Sequence, residues 1–299
     1  MTSSFFEELA ARGHEVAVFV YNIEEHRIEN GVKVYSLKET SPDLLPRPDV
    51  MYAHIGMSKS AVQYGYQLNI PVVGIIHNTL PATYIDLKKH KSNINLLIFN
   101  SEFTKQSSHG YDGVVMHSLL DTERYRTVRK GAKYIMIPSL SEDKGGALFE
   151  ELARRLPQYD FLGLNGPYND QLNPVGKNIT TLPTVRHEDI NSVFAQTKIM
   201  LAPSAYESWG RAAAEAMCSG IPVIASRAGG LVECLGNAGY NLDLEDIDAW
   251  CSTIRNLMDD GHMYTEQSVL ANVRAMDIER QSKDELMWTI KAMEDLCNK

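Results

Sequence analysis

The sequence predicts an α/β protein built from two doubly wound, Rossmann-like parallel sheets that face each other across a cleft. Three observations lead there. Short runs rich in Val and Ile alternate with amphipathic segments almost throughout, the pattern of parallel strands covered by helices. The alternation occurs as two series, and a charged stretch near residues 120–132, "DTERYRTVRKGAK", reads as the interdomain linker between them. A chain of 299 residues is the right length for two such domains.

Taken in order, the chain opens with "TSSFFEELAARG", an amphipathic segment in which Ser4 and Glu7 form a capping box, so that a helix starts almost at the first residue. The apolar runs at 15–21, 32–37, 49–55, 71–77, 96–100 and 113–117 are the strands of the first series, with a helix over 57–68 between two of them. The second series has strands at 133–138, 160–166, 178–183, 198–204 and 222–227. Its helices lie at 145–156, 189–196, 209–219 and 246–258, and apolar residues at helical spacing predict a terminal helix over 282–297. The domains expected are therefore 1–128, 129–281, and a terminal helix, 282–299, packing back on the first domain.

Bulk properties narrow the function. A hydrophobic content of 44% and a charged content of 22% are those of a soluble globular protein. The net charge of −9 argues against a broad nucleic-acid or anionic-membrane surface. Cys218, Cys234, Cys251 and Cys297 show no metal-binding spacing and read as reduced cysteines of a cytoplasmic protein. The longest apolar runs, such as "IPVVGII", are too short to span a bilayer, and no secretory leader is recognisable.

The stretch 205–230, "AYESWGRAAAEAMCSGIPVIASRAGG", carries the chemistry. If its helix begins near Glu207, then Glu207, Arg211 and Glu215 recur every four residues and form one charged line on an alanine-rich helix. That line is either a solvated ion-pair ladder or a polar stripe facing a ligand. The strand "IMLAPS" precedes it, so Glu207, Ser208, Trp209 and Gly210 fall where a helix N-terminus at the carboxyl end of a strand favours an anion.

The segment "PSAYESWGRAAAEAMCSGIPVIASRAGGLVE" resembles the donor-binding signature of retaining glycosyltransferase family 4, the group 1 glycosyl transferases of GT-B fold, in which two glutamates are separated by seven residues. "KGGALFEELARRLPQYDFLGLNG", "NSEFT" and "DTERYR" extend the resemblance, which is strong from 133 to 240. It implies retaining transfer of a hexose from a nucleoside diphosphate sugar, a uridine diphosphate sugar favoured, to an acceptor hydroxyl. Glu215 would bind the ribose hydroxyls, and Glu207 hydroxyls of the donor sugar. The backbone N–H groups of Ser208, Trp209 and Gly210 would hold sugar oxygens or phosphate. Lys144 would neutralise the diphosphate, with Ser139 beside it, and His77 would reach the donor sugar near the reacting carbon. Each residue keeps a plainer reading: Lys144 as a solvated helix-start lysine, His77 as a core histidine, Trp209 as a core cap, and Arg211 as a helix pair for either glutamate or a further cation at the diphosphate.

The sequence departs from the family pattern twice. "IPSLSEDKGG" has Pro138 and Ser139 where many members have glycine and arginine, and the first strand and glycine-rich loop of the first domain are not recognisable. A non-catalytic or fragmentary nucleotide-sugar-binding protein and a GT-B-fold epimerase are therefore the alternatives. Neither a metal nor another cofactor is expected, and the partners expected are the sugar nucleotide and an acceptor, with nucleic acid disfavoured.

Overall fold

The computed structural model describes residues 2–20, 23–55, 59–166 and 170–298. Tyr21 of the first expected strand and residues 57–58 of the helix expected after "DVMYAHI" lie outside them. In chain order the elements are α1 (Thr2–Ala11), β1 (Ala17–Val20), β2 (Arg27–Glu29), β3 (Val32–Ser36), β4 (Met51–His54), α2 (Lys59–Gln67), β5 (Val72–Ile76), α3 (Pro81–His90), β6 (Leu96–Phe99), α4 (Glu102–Gln106) and β7 (Val114–Val115). They continue with α5 (Thr122–Tyr125), β8 (Tyr134–Ile137), α6 (Gly146–Arg155), β9 (Phe161–Leu164), β10 (Ile179–Leu182), α7 (Ile190–Phe194), β11 (Thr197–Ala202), α8 (Arg211–Cys218), β12 (Val223–Ser226), α9 (Gly229–Leu235), β13 (Gly239–Leu242), α10 (Ile247–Asp259) and α11 (Gly261–Cys297). Two compact units result: Met1–Asn100 with Ser108–Leu119 and Ser282–Lys299, and Ser101–Ser107 with Leu120–Gln281.

In the first unit the strands form two sheets, ordered β1-β3-β2 and β4-β5-β6-β7. β2 turns back on β3 through Asn30 and Gly31, whose φ values of 47° and 83° suit a tight hairpin between antiparallel strands. β4 to β7 are all parallel, and β5 ("VVGII") is buried along its whole length, as a strand covered on both faces must be. Phe5 and Leu9 of α1 pack one face of it with Leu286, Ile290 and Met293 of α11, and Val62 and Leu87 pack the other. Glu285 on α11 adds a buried polar tie, accepting the His117 backbone N–H at 2.8 Å and its Nδ1 at 2.9 Å. Among the described residues β1 and β4 each stand at the edge of a sheet, with a partner strand on one side only.

The second unit holds one six-stranded parallel sheet, ordered β10-β9-β8-β11-β12-β13. Renumbered from its first strand, this is the 3-2-1-4-5-6 order of a doubly wound fold, with the chain reversing direction of growth between β8 and β11. Phe149 and Leu152 of α6 and Trp250, Ile254 and Leu257 of α10 fill one core, whereas α8 and α9 supply Ala213, Ala216, Met217, Leu231 and Leu235 to another.

Several expectations are corrected. The 120–132 stretch is not a free linker: it contains α5, whose cap Asp121 accepts the Arg124 N–H, and Arg129 donates to the Gly220 carbonyl at 2.7 Å. Ser4 lies inside α1, which starts at Thr2, rather than capping it. α11 runs 37 residues, far beyond 282–297, because its amphipathic face continues upstream through Ala271, Ala275 and Ile278. β2, β13 and the helices α3, α4, α5 and α9 come in addition to the elements read from the sequence. The four cysteines are free thiols, with Cys218 and Cys234 buried and pushed up to about 12 by that burial.

Candidate functional site

In a doubly wound sheet, neighbouring loops diverge at the carboxyl ends of the strands where the order reverses, and a crevice opens there. Here that point lies between β8 and β11, so the loop after β8 and the loop after β11 define it. They touch because glycine allows it: Gly145, at φ 85°, ends a 3-10 turn over Glu142–Lys144, and a side chain on it would come within 2.3 Å of the Pro203 carbonyl. The Ala205 N–H then donates to the Asp143 carbonyl at 2.9 Å. Lys144 is thereby brought to Glu207, with Nζ 3.1 Å from Oε2 and 3.2 Å from the Tyr206 carbonyl. Both side chains remain about a quarter to a third exposed, so this ion pair faces solvent and contributes little to stability. Ser139 stands at the start of the same loop, its Oγ 3.1 Å from that of Ser141, which donates to Asp143.

The charged stretch does not form one helical line. Gly210 adopts φ 102°, a conformation open to glycine, and α8 begins only at Arg211. Glu207 therefore precedes the helix and pairs with Lys144, while Arg211 pairs with Glu215 through Nε at 2.7 Å. The single charged line that a helix start near Glu207 would give is split between two clusters. The Trp209 ring is 3% exposed and fills the core, which leaves its backbone as the part facing the loop. The loop is fixed from below by α9: the Gly230 N–H donates to the Glu207 carbonyl at 3.1 Å, and a side chain at Gly230 would lie 2.2 Å from the Ser208 carbonyl carbon. Ser101 Oγ donates to the Ser208 carbonyl at 2.7 Å.

Around Glu215 the structure gathers two residues that sequence reasoning missed. The far end of Arg211 reaches His187 Nε2 at 3.3 Å, and the Tyr125 hydroxyl bonds the same nitrogen. Burial, with the Glu215 carboxylate nearby, pushes the Tyr125 hydroxyl up to about 12, and burial lowers the His187 ring below its ordinary range. Tyr125 belongs to α5 and His187 to the loop after β10, both well upstream of the stretch that begins at Pro203, so no spacing within that stretch points to them. Beyond Ser204 and Ala205, a pocket of about 310 Å³ is lined by Arg227, Asp243 and Glu245 at the ends of β12 and β13, and it too was not read from sequence.

His77 follows β5 directly in the first unit, stacked on His54 at the end of β4, with ring centroids 4.5 Å apart. Burial, and then the neighbouring imidazole, hold His77 down at about 3, so it is neutral throughout the physiological range. Among the described residues no helix is long and apolar enough to cross a membrane.

Residues 161–260 match the family model described as glycosyl transferases group 1. Over 138 residues the chain is 28% identical to sulfoquinovosyl transferase of Arabidopsis thaliana, a match covering 42% of this chain and 26% of that protein. Over 75 residues it is 41% identical to D-inositol 3-phosphate glycosyltransferase of Corynebacterium kroppenstedtii, covering 24% of this chain and 17% of the relative. The matched region thus spans about a quarter or less of these curated relatives. Among solved structures, sucrose-phosphate synthase from Thermosynechococcus elongatus superposes with a TM-score of 0.83 at 16% identity, over 99% of this chain and 92% of that one. Anabaena HepE in complex with UDP-glucose superposes at 0.68 and 18% identity, over 80% of this chain and 78% of the other. At such identities the structural likeness speaks for the fold alone, and the fold is GT-B.

Proposed function

We propose, from a GT-B fold whose residues 161–260 resemble the group 1 glycosyl transferases, that this protein transfers a hexose from a nucleoside diphosphate sugar to an acceptor hydroxyl with retention of configuration. The observation that carries the reading is the convergence of Lys144 and Glu207 at the switch point of the second sheet. In this reading the Lys144–Glu207 pair opens on donor binding: the ammonium turns to the diphosphate, and the carboxylate accepts hydroxyls of the sugar. The N–H groups of Ser208, Trp209 and Gly210, with Ser139, add donors for the sugar and phosphate oxygens, and Glu215 takes the ribose. Arg211, neutralised by Glu215, acts there rather than as a second cation at the diphosphate. His77, neutral, keeps the role that the resemblance gives it, at the donor sugar.

The reaction breaks the bond between the anomeric carbon and the phosphate oxygen and forms one to the acceptor oxygen on the same face. The acceptor's proton passes to the departing phosphate, and the charge growing on that phosphate is what Lys144 stabilises. A uridine diphosphate sugar is the favoured donor, and the chain's own groups supply the charge compensation without a metal.

A thermal-shift panel of nucleoside diphosphates and their sugars tests this. A ligand at a hundred times its Kd adds about 2.7 kcal/mol to the folded state, about 5–10 °C in the melting of a unit this size. The shift is expected for one nucleotide, is expected to vanish in Glu215→Ala, and is expected to shrink in Lys144→Ala. No shift with any nucleotide, or an equal shift in both variants, overturns the reading.

A further inference from the structure

We infer that Tyr125 and His187 are positioning residues for ribose selection: through Arg211 they fix the Glu215 carboxylate so that it distinguishes a nucleotide bearing both ribose hydroxyls from a deoxy one. The inference rests on the proposed nucleotide site and concerns residues outside its signature.

Arg211 is a long side chain whose guanidinium, left alone on a helix surface, would sample many rotamers. Here it is held at both ends. Nε donates to Glu215 Oε1 at 2.7 Å, and the outer nitrogen lies 3.3 Å from His187 Nε2. The Tyr125 hydroxyl bonds the same Nε2, and the two rings meet edge to face with centroids 5.4 Å apart. Since Nε2 faces two donors, it is the unprotonated, accepting nitrogen of a neutral imidazole, with its proton on Nδ1.

Tyr125 is itself anchored. Its ring is 3% exposed, and its carbonyl accepts Ser219 Oγ just past the end of α8, so α5 is tied to the helix that carries Arg211 and Glu215. His187 comes from a third segment, the loop after β10. Three separate parts of the second unit thus close on one arginine, although a surface ion pair at this spacing needs no such support.

The consequence falls on Glu215, which is 7% exposed. Arg211 donates to Oε1 at 2.7 Å, and because an ionised carboxylate has about four acceptor sites, Glu215 can take a ligand hydroxyl as well. A carboxylate fixed in this way rewards a hydroxyl in one place, and a ligand lacking it leaves a charged acceptor unsatisfied. A carboxylate free to rotate would re-solvate and discriminate poorly.

The test measures Kd for uridine diphosphate and 2′-deoxyuridine diphosphate with the unmodified protein, Tyr125→Phe and His187→Phe, each first checked for an unchanged melting temperature. The unmodified protein is expected to prefer the ribonucleotide about tenfold or more, the scale of one hydrogen bond to a charged group. Either variant that melts normally is expected to cut that preference to about twofold while changing deoxynucleotide affinity little. A preference retained in both variants overturns the inference, as does an equal loss of affinity for both nucleotides, which marks a merely structural network. Absence of binding by the unmodified protein sinks the proposed nucleotide site, and the inference with it, whereas the first two results leave that site standing.

Discussion

Gly230→Ala is a one-carbon change whose effect can be worked from the structure. An added methyl would stand 2.2 Å from the Ser208 carbonyl carbon, 2.3 Å from its oxygen and 2.4 Å from the Trp209 nitrogen, where ordinary contact begins at 3.4 Å. All three are backbone atoms, so no side chain can rotate aside, and the 207–209 loop must move by about 1 Å. Overpacking of this kind costs about 3 kcal/mol, against which alanine's better helix propensity in α9 returns about 1 kcal/mol. The net of about 2 kcal/mol lowers the melting temperature of a unit this size by about 4–8 °C. A displacement of about 1 Å in a group that positions a substrate costs about a hundredfold in turnover, and nucleotide affinity should fall as well. Gly261→Ala, where no atom lies within 4 Å of the new methyl, is the control and should be silent. The assays are a thermal melt and calorimetric titration with uridine diphosphate. If Gly230→Ala melts and binds as the control does, the claim that α9 sets the loop is refuted.

Two further outcomes follow from the first unit. Glu285→Ala removes the acceptor of a buried pair that holds α11 to His117, so urea unfolding should register a loss of about 3 kcal/mol; a loss below about 0.5 kcal/mol would show the pair to be incidental. His77 takes up its proton near 6.5 in the unfolded chain but only near 3 when folded, so the unfolded state binds more protons between those values. Its contribution to stability is therefore complete above about pH 6.5 and declines as pH falls towards 3; a histidine ring signal that titrates above pH 5 in the folded protein contradicts this.

How much of this was legible in the sequence depended on where each signal lay. β5, β8 and β12 are continuous apolar runs because both faces are covered, and such runs read directly as buried parallel strands. β2 ("RIE") is exposed along its length and held by pairing alone, so it leaves no apolar trace. The helix expected over 209–219 is present as α8, but a charge every four residues imitates a longer one reaching back to Glu207, whereas the left-handed φ of Gly210 is a backbone fact that composition does not announce. Lys144 and Glu207 were found separately, each from its own motif, and their contact follows from the order of the strands. Tyr125 and His187 could be recognised only once three distant segments were seen to meet on Arg211.

Two of the edge strands, β1 and β4, have a bearing on handling. An unpaired strand edge is a template for another chain, and an apolar sequence such as "AVFV" is the kind that stacks into aggregates. Each of these strands is only four residues long, and successive amides point to opposite sides, so each edge offers about two free N–H groups. That brevity is the protection. A substitution that extended either strand by a few β-branched residues would turn a tolerated edge into a nucleus for association, with no change to the proposed nucleotide site at all.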